Sequence, residues 1–586
     1  MVMRVSLDEV VPGTTAAAAL AAGSVHGALA AVAARRPAVR IDFPSSGDSL
    51  SYRELVERGD ALAAALARGG VRPGARVGLL SENAPDFLVA LAGVSRAGAV
   101  TCPLPLPTST RDLTGYAARL ARAAAVADIG LVLVGGRTAR LASRFAAAFD
   151  AGGAVRVVTV TEYTASIGTD ADASTDADAG GPLPDEVPPG APALVQFTSG
   201  STAAPKGVLL THHNILAGLA AIIDGVGLTE NDGGGIWLPL FHDMGLFGAL
   251  AGILTGMPMT VWSPAGFVKD PAGWLTDFLR RGGSIAPMPN FAYDYLADAV
   301  PAPVQAGLDL SGWRVAFNGA EPVSPASVDR FLAIFGPAGF SPAAMMPVYG
   351  MAEATLAVTF PPRGRAPVSR WVDRDLLARR GIAVDVAPDD PAARGLVGVG
   401  RPVRAMNVRV TGTSPGATGP APDDQVGEIQ IRGEAVTGGY LTESGAVPAD
   451  AFTADGWLRT GDLGLLRDGE LFVTGRAKEM IIVRGVNYYP HDAEDAARDV
   501  PGVHRRRCVA YADIAPDGTE AMTVLAETTL EDDAARDLLT TGIRTAVGAA
   551  LGLAEIAVHL VGPDALPRTS SGKFQRLAAR DAVPVA

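Results

Sequence analysis

Residues suited to phosphate and carboxylate chemistry recur along this chain. The stretch Ala193 to Asn214 carries Thr198-Ser199-Gly200-Ser201-Thr202, four hydroxyls around one glycine, with Lys206 and Gly207 just after Pro205. Glycine lets backbone N–H groups approach a ligand, hydroxyls add donors, and an ammonium completes a polyphosphate clamp. It is not a Walker loop, because G-x-x-x-x-G-K-[ST] does not occur. An isolated TSGST would be an ordinary turn; the downstream residues argue otherwise. Gly319 removes a side chain where a flat base could approach, Tyr349 offers a face for stacking, and Glu353 supplies a hard oxygen suited to Mg²⁺ bridging phosphates. Asp462 lies in a glycine-flanked turn and could accept from two ribose hydroxyls. Lys573 sits in a Gly/Ser-rich loop near the C-terminus. Seen alone that loop reads as a basic tail; an ammonium there could also offset the repulsion between two anions, which at ~4 Å is roughly 4 kcal/mol at an effective dielectric of 20.

These residues need elements to hold them. From Leu50 onward helical and strand-like segments alternate. SYRELVERGDALAAALARGG has helical spacing stopped by Gly69-Gly70, ARVGLLS reads as a buried strand, and APDFLVALAGVSRAG as a helix. LVLVGG and VRVVTVTE add β-rich runs. The alternation predicts an α/β fold of parallel or mixed sheets flanked by helices. Thr164 to Pro192 is acidic and Pro/Gly-rich and is expected to form a surface excursion without a core, as is Thr411 to Gln425. After about Thr474 the pattern changes to a short α+β segment the size of a small domain.

WLPLFHDMGLFGAL places His242 and Asp243 beside an apolar wall, where an imidazole could gate a carboxylate substrate; a lone histidine is more often structural. Phe291 and Tyr293 in PMPNFAYDYL could line an apolar tunnel or simply belong to the core. In family order, the Thr198–Lys206 clamp, LPLFHDMG, PNFAY, FNGAEPV, YGMAE, the TGD–GRAKE pair and LPRTSSGK resemble the signatures of the acyl-adenylate-forming superfamily, over nearly the whole chain. Ala203 stands where that family usually has glycine. The resemblance implies a large N-terminal adenylation domain (1–477) with a distorted β-barrel subdomain, and a small mobile α+β domain (478–586) hinged at Lys478. It implies ATP and Mg²⁺, with catalytic roles for Lys573, His242 and Glu353. ATP would meet Thr198 to Thr202, Lys206, Asn318, Gly319, Ala320, Glu321, Tyr349, Gly350, Met351, Asp462, Arg476 and Lys573. Glu353 and Thr198 would hold the metal, and His242, Asp243, Phe291 and Tyr293 the acyl group.

The passage between Gly350 and Gly400 contains VDRD–L and a G-x-G-R-P exit, and resembles the insertion of fatty acyl-AMP ligases (about 362–396). In that group the insertion is thought to hinder the C-terminal movement that coenzyme A transfer needs, so the acyl group goes to the phosphopantetheine thiol of a separate acyl carrier protein. A fatty acyl-CoA ligase using free CoA is the alternative. A serine hydrolase is suggested only by Gly412-x-Ser414-x-Gly416, whose Pro/Gly-rich setting lacks a following helix. A catalytically dead nucleotide-binding scaffold would not need Glu353, Asp462 and Lys573 together.

A chain of 586 residues is too long for one core, and 48 % hydrophobic with 19 % charged residues is a globular composition. No uninterrupted apolar run predicts a membrane helix, and Asp8 and Glu9 argue against reading the alanine-rich Thr14 to Ala34 as a signal peptide. The net charge of −13 disfavours a nucleic-acid surface, and His504-Arg505-Arg506-Arg507 reads as a local solvated or docking patch. Two distant cysteines and no ligand-spaced histidines predict a cytoplasmic protein without disulfides or structural zinc.

Overall fold

The computed structural model describes residues 14–107, 113–149, 155–169, 182–198, 205–412, 419–443, 445, 451–483, 486–514, 520–569 and 573–582. Two seven-stranded sheets form the body of the molecule. The first runs Met345–Pro347, Val315–Gly319, Ile285–Pro289, Gly234–Ile236, Met259–Val261, Arg40–Phe43, Asp48–Ser51, parallel except at its last pair. The second carries Pro192–Thr198 beside the parallel strands Val100–Pro103 and Arg76–Ser81, and a hairpin partner, Lys206–Thr211. Strands covered on both faces read as continuous apolar runs, as Ile285–Pro289 does with all five residues buried.

The helices follow from local chemistry. Tyr52–Arg68 starts at a capping box, Ser51 with Glu54, and ends at Gly69, as its sequence predicts. Asp243–Thr255 buries nearly every side and so shows little amphipathic pattern; it leads from the strand Gly234–Ile236 into Met259–Val261 as a crossover between parallel strands. The expectation for Thr164 to Pro192 needs correction at its start. The helix Val160–Thr169 carries through Thr164, whose hydroxyl donates to the Val160 carbonyl at 2.8 Å. The rest of the acidic repeat up to residue 181, and most of the loop holding Ser414 and Gly416, lie outside the described residues.

Four antiparallel strands, Met406–Thr411, Gly427–Gly433, Leu458–Arg467 and Glu470–Arg476, make a separate sheet. A turn at Ala477–Glu479 follows, with Lys478 exposed. Beyond it Cys508–Ile514, Glu520–Glu527 and Ile556–Val561 form a three-stranded sheet covered by Pro490–Arg498 and Asp533–Leu551, with its own core around Ile481, Val524 and Ile543. The passage 362–396 folds as the hairpin Ser369–Asp373 and Ala393–Val397 around the helix Arg374–Arg380. Val372, Leu377 and Leu396 pack with Leu463, Leu465 and Phe472 of the antiparallel sheet and with Tyr489 beyond the turn. Leu377 belongs to this patch; Trp371 and Leu376 are only half-buried. Among the described residues no helix is long and apolar enough to cross a membrane.

Candidate active site

Asp462 and Arg476 face each other in register across the hairpin Leu458–Arg467 and Glu470–Arg476. The guanidinium Nε lies 3.0 Å from Asp462 Oδ1. The other carboxylate oxygen accepts from the Tyr349 hydroxyl at 2.7 Å, and the Asp462 N–H donates to Thr460 Oγ1 at 3.1 Å. The strand pair thus presents Asp462 and Arg476 to one cleft, where Tyr349 reaches them from the short strand Tyr349–Gly350 of another sheet. Burial pushes the Asp462 carboxyl up, and Arg476 and the Tyr349 hydroxyl pull it back.

The strand Val315–Gly319 delivers the FNGAE residues to the same place. Asn318 is fully buried, its Nδ2 donates to Asn290 Oδ1 at 3.3 Å, and its Oδ1 has no partner among the described residues. A Cβ at Gly319 would stand 2.9 Å from the Val348 carbonyl oxygen, so no larger residue fits. Ala320 takes a left-handed φ of +66°, a costly conformation for a residue with a Cβ, and lines the cleft. Glu321 accepts the Phe291 N–H at 2.6 Å, and burial raises its carboxyl.

Glu353 sits on the single turn Ala352–Ala354, and its Oε1 accepts the Tyr440 hydroxyl at 3.2 Å. Burial raises its carboxyl, and the charges of Asp243 and Asp462 push the same way. Lys206 stands 5.9 Å over the Tyr440 ring. Tyr440 therefore joins the clamp lysine to the candidate metal ligand. Its local sequence gave no sign of this; the pairing of Gly439–Leu441 with Lys206–Thr211 creates the link. Ser199 to Thr202, the departure at Ala203 and the Thr198 side chain lie outside the described residues.

Lys573 comes from the far end of the chain. Its N–H donates to Thr569 Oγ1 at 3.1 Å and its carbonyl accepts the Thr569 N–H at 2.8 Å, closing the loop that presents it. Arg576 anchors that loop. It bonds Glu494 at 2.6 and 2.7 Å and Glu479, in the turn beside Lys478, at 2.6 Å. Against a burial that pushes it up, the Arg576 guanidinium holds Glu494 down to about 2. The position of Arg576 in the lysine motif was the available signal for this role.

Burial lowers the Lys573 ammonium, and Asp243 and Glu321 oppose that shift. His242 caps the helix Asp243–Thr255 without a side-chain capping bond. Burial, helped by the Lys573 charge, lowers its imidazole to about 3, so the ring is neutral. Asp243 Oδ1 accepts the Met244 N–H at 2.7 Å, and burial raises its carboxyl. The helix N-terminus favours an anion arriving at this point.

The cleft has two parts that meet at Ala320, Tyr349, Gly350 and Lys573. The outer part is wider and holds the charged groups Glu321, Asp462 and Arg476. The inner part is a narrow cavity between the helix Asp243–Thr255 and the first sheet, lined by Met244, Gly248, Met259, Pro287 and Phe317 among others. Phe291 lines the outer part and meets Trp237 edge-on with centroids 6.4 Å apart. Tyr293 lines neither. It is fully buried, donates to the Phe317 carbonyl at 2.7 Å and packs edge-on against Phe331 at 5.0 Å. Its assignment to the substrate pocket is corrected, because its side chain satisfies itself in the core behind the site. Met351 is half-buried beside Tyr349, with its N–H donating to the Leu356 carbonyl at 2.8 Å.

The Lys573 ammonium thus stands where a cleft holding charged groups meets an apolar cavity. Residues 29–441 match the family of AMP-binding enzymes. The long-chain-fatty-acid–AMP ligase FadD32 of Mycolicibacterium smegmatis is 34 % identical over 92 % of this chain and 90 % of that protein. The medium-chain-fatty-acid–[acyl-carrier-protein] ligase JamA of Moorena producens is 33 % identical over 91 % of this chain and 89 % of its own. A solved structure from a study of fatty acyl-adenylate ligases of E. coli and L. pneumophila superposes with a TM-score of 0.86, at 31 % identity over 95 % of this chain and 97 % of that one. The chain belongs to the AMP-binding enzymes, and within them to the fatty acyl-AMP ligases.

Proposed function

We propose that this enzyme converts a fatty acid and ATP into acyl-adenylate and pyrophosphate, then passes the acyl group to the phosphopantetheine thiol of a separate acyl carrier protein. The observation that carries this reading is Lys573 at the junction of the outer cleft and the apolar cavity. An acid whose tail enters the cavity brings its carboxylate to the neutral His242 and the helix N-terminus. One carboxylate oxygen bonds to the α-phosphorus as the bond to the bridging oxygen breaks and pyrophosphate leaves. Lys573 would neutralise both anions as they close, a contact stronger in the transition state than before it. Asp462, held by Arg476 and Tyr349, would accept from the ribose hydroxyls, and Tyr349 would face the base.

The residues present fit a divalent cation. Glu353 feels the charges of Asp243 and Asp462 as well as that of Arg476, and a further cation would offset the repulsion among the three carboxylates. Glu353, with Thr198 from the clamp strand, would hold Mg²⁺ through few protein ligands, as a site completed by phosphate oxygens requires. Mg²⁺ supplies charge neutralisation on the polyphosphate. Transfer would then proceed by thiol attack on the acyl carbonyl, with the C–O bond to AMP breaking.

The acceptor reading rests on how the passage 362–396 meets the C-terminal segment. Arg394 pairs with Asp492 at 2.8 Å, both side chains nearly buried, stacks on Tyr489 at 3.8 Å, and donates to the Thr474 carbonyl at 2.9 Å. Arg374 donates to the Ala550 carbonyl. We read this as a restraint on rotation of 478–586 about Lys478 that disfavours free CoA. The buried free thiols of Cys102 and Cys508 suit a cytoplasmic location. The test of the first step is pyrophosphate release and intact-mass detection of acyl-adenylate from fatty acid and ATP. Absence of both with every acid would overturn the reading.

A further inference from the structure

The inner cavity has a length, and its length bears on the substrate, given the adenylation proposed above. The cavity follows one face of the helix Asp243–Thr255, touching Met244, Gly248 and Ala251, which share a face at i, i+4 and i+7. Its mouth holds Asp243, Tyr349 and Lys573, the only polar side chains among its lining residues. Gly248 makes the space: apart from Asp243 at the mouth it is the one position of this helix that is not buried, and a Cβ there would stand 3.3 Å from Ile236 and Pro287. At the far end lie Met257 and Met259, each 2 % exposed. Both thioethers are wedged between a strand glycine and a helix glycine. A Cβ at Gly234 would come within 2.2 Å of the Met259 sulfur and 2.9 Å of the Met257 methyl; at Gly252 the values are 2.3 and 2.6 Å.

A helix rises ~1.5 Å per residue, so the wall from Asp243 to Ala251 is ~12 Å long. A zigzag chain of ~1.5 Å carbon–carbon bonds advances ~1.3 Å per carbon, which fits roughly nine carbons into that length. We infer that the protein selects unbranched medium-chain acids, near octanoic to decanoic, with Met257 and Met259 as the floor that sets the limit. Each methylene up to the floor raises kcat/KM about fourfold through burial, and the next ones lose that gain because they must displace packed thioethers. The floor offers no hydrogen-bond partner, so a terminal hydroxyl lowers kcat/KM about tenfold or more.

The experiment is acyl-adenylate formation by the full chain with ATP and Mg²⁺ across straight-chain acids from butanoic to octadecanoic, for wild type, Met259→Ala, Met257→Ala and Gly248→Val. Wild type is expected to peak at octanoic to decanoic acid. The methionine variants shift the peak to longer acids and Gly248→Val to shorter ones, and opposite shifts from floor and wall cannot come from general loss of folding. A wild-type peak at hexadecanoic acid, a flat profile, or floor variants with an unmoved peak would overturn the inference while leaving adenylation intact. No adenylate with any acid would overturn the adenylation reading and this inference with it.

Discussion

The two ends of the cleft are built on opposite principles. At the polar end every functional group is held by another: Asp462 by Arg476 and Tyr349, Glu353 by Tyr440, the Lys573 loop by Thr569 and Arg576. At the apolar end nothing holds anything by direction; the site is a space left by Gly248 and closed by Met257 and Met259. Directional partners fix charges for chemistry, which tolerates little displacement. Shape alone sorts chains by length. Changes at the polar end should therefore remove turnover for all acids alike, and changes at the apolar end should redistribute it among acids.

The largest effect is expected at Lys573. Lys573→Ala should cut adenylate formation by about a thousandfold while leaving ATP binding within a few fold and sparing thioester formation from supplied acyl-adenylate, as half-reaction assays would show. Equal loss in both halves would break the assignment. The same group sets a pH limit. Burial lowers its folded-state value, the ammonium is the working form, and it is present below that value and lost as pH rises through it. The alkaline limb of kcat/KM should therefore fall below the ordinary lysine range, and the limb should vanish in the alanine variant.

Asp462→Ala comes next. It removes a ground-state contact and strands both Tyr349 and Arg476, so calorimetry should find ATP affinity reduced by about tenfold to a hundredfold. Glu353→Gln should instead raise the Mg²⁺ concentration needed for half-maximal rate. If neither ATP nor Mg²⁺ dependence moves, the nucleotide lies elsewhere.

Arg394→Ala tests a third region against these two. It leaves Asp492 buried without its cation, a change of about 3 kcal/mol or more in the contact between the passage 362–396 and the C-terminal segment. Adenylation should persist, and acyl-CoA should rise severalfold over wild type in a chromatographic assay. An unchanged acyl-CoA yield would leave the restraint without support.

The smallest effect should come from Tyr293→Phe. Loss of its bond to the Phe317 carbonyl should cost about 1–2 kcal/mol in denaturant unfolding, with no change in the order of preferred acids. A changed order would return Tyr293 to the pocket.

The polar end was largely legible in the sequence because chemistry restricts residue type. Few side chains can neutralise two anions or accept from a ribose, so Lys573, Asp462 and Glu353 stood out, and a two-strand register then put Asp462 beside Arg476. Tyr440 was not legible, since its partners lie far away along the chain and only strand pairing unites them. The apolar end was misread at Tyr293 and missed at Met257 and Met259. Ordinary core residue types line a cavity or fill a core according to where the backbone leaves room, and Gly248 has that effect only once its helix lies on the sheet. The insertion was visible as extra length, but its polar contact through Arg394 to Asp492 and Tyr489 required the fold.

The central claim, a site that makes acyl-adenylate and hands it to a carrier-bound thiol, is tested most directly by one comparison. Wild-type enzyme, ATP, Mg²⁺ and decanoic acid are combined with either free CoA or a phosphopantetheinylated acyl carrier protein, and products are read by intact mass. The account predicts acylated carrier protein in the second mixture and accumulated acyl-adenylate with little acyl-CoA in the first. Acyl-CoA formed as fast as acylated carrier, or no adenylate in either mixture, would contradict it.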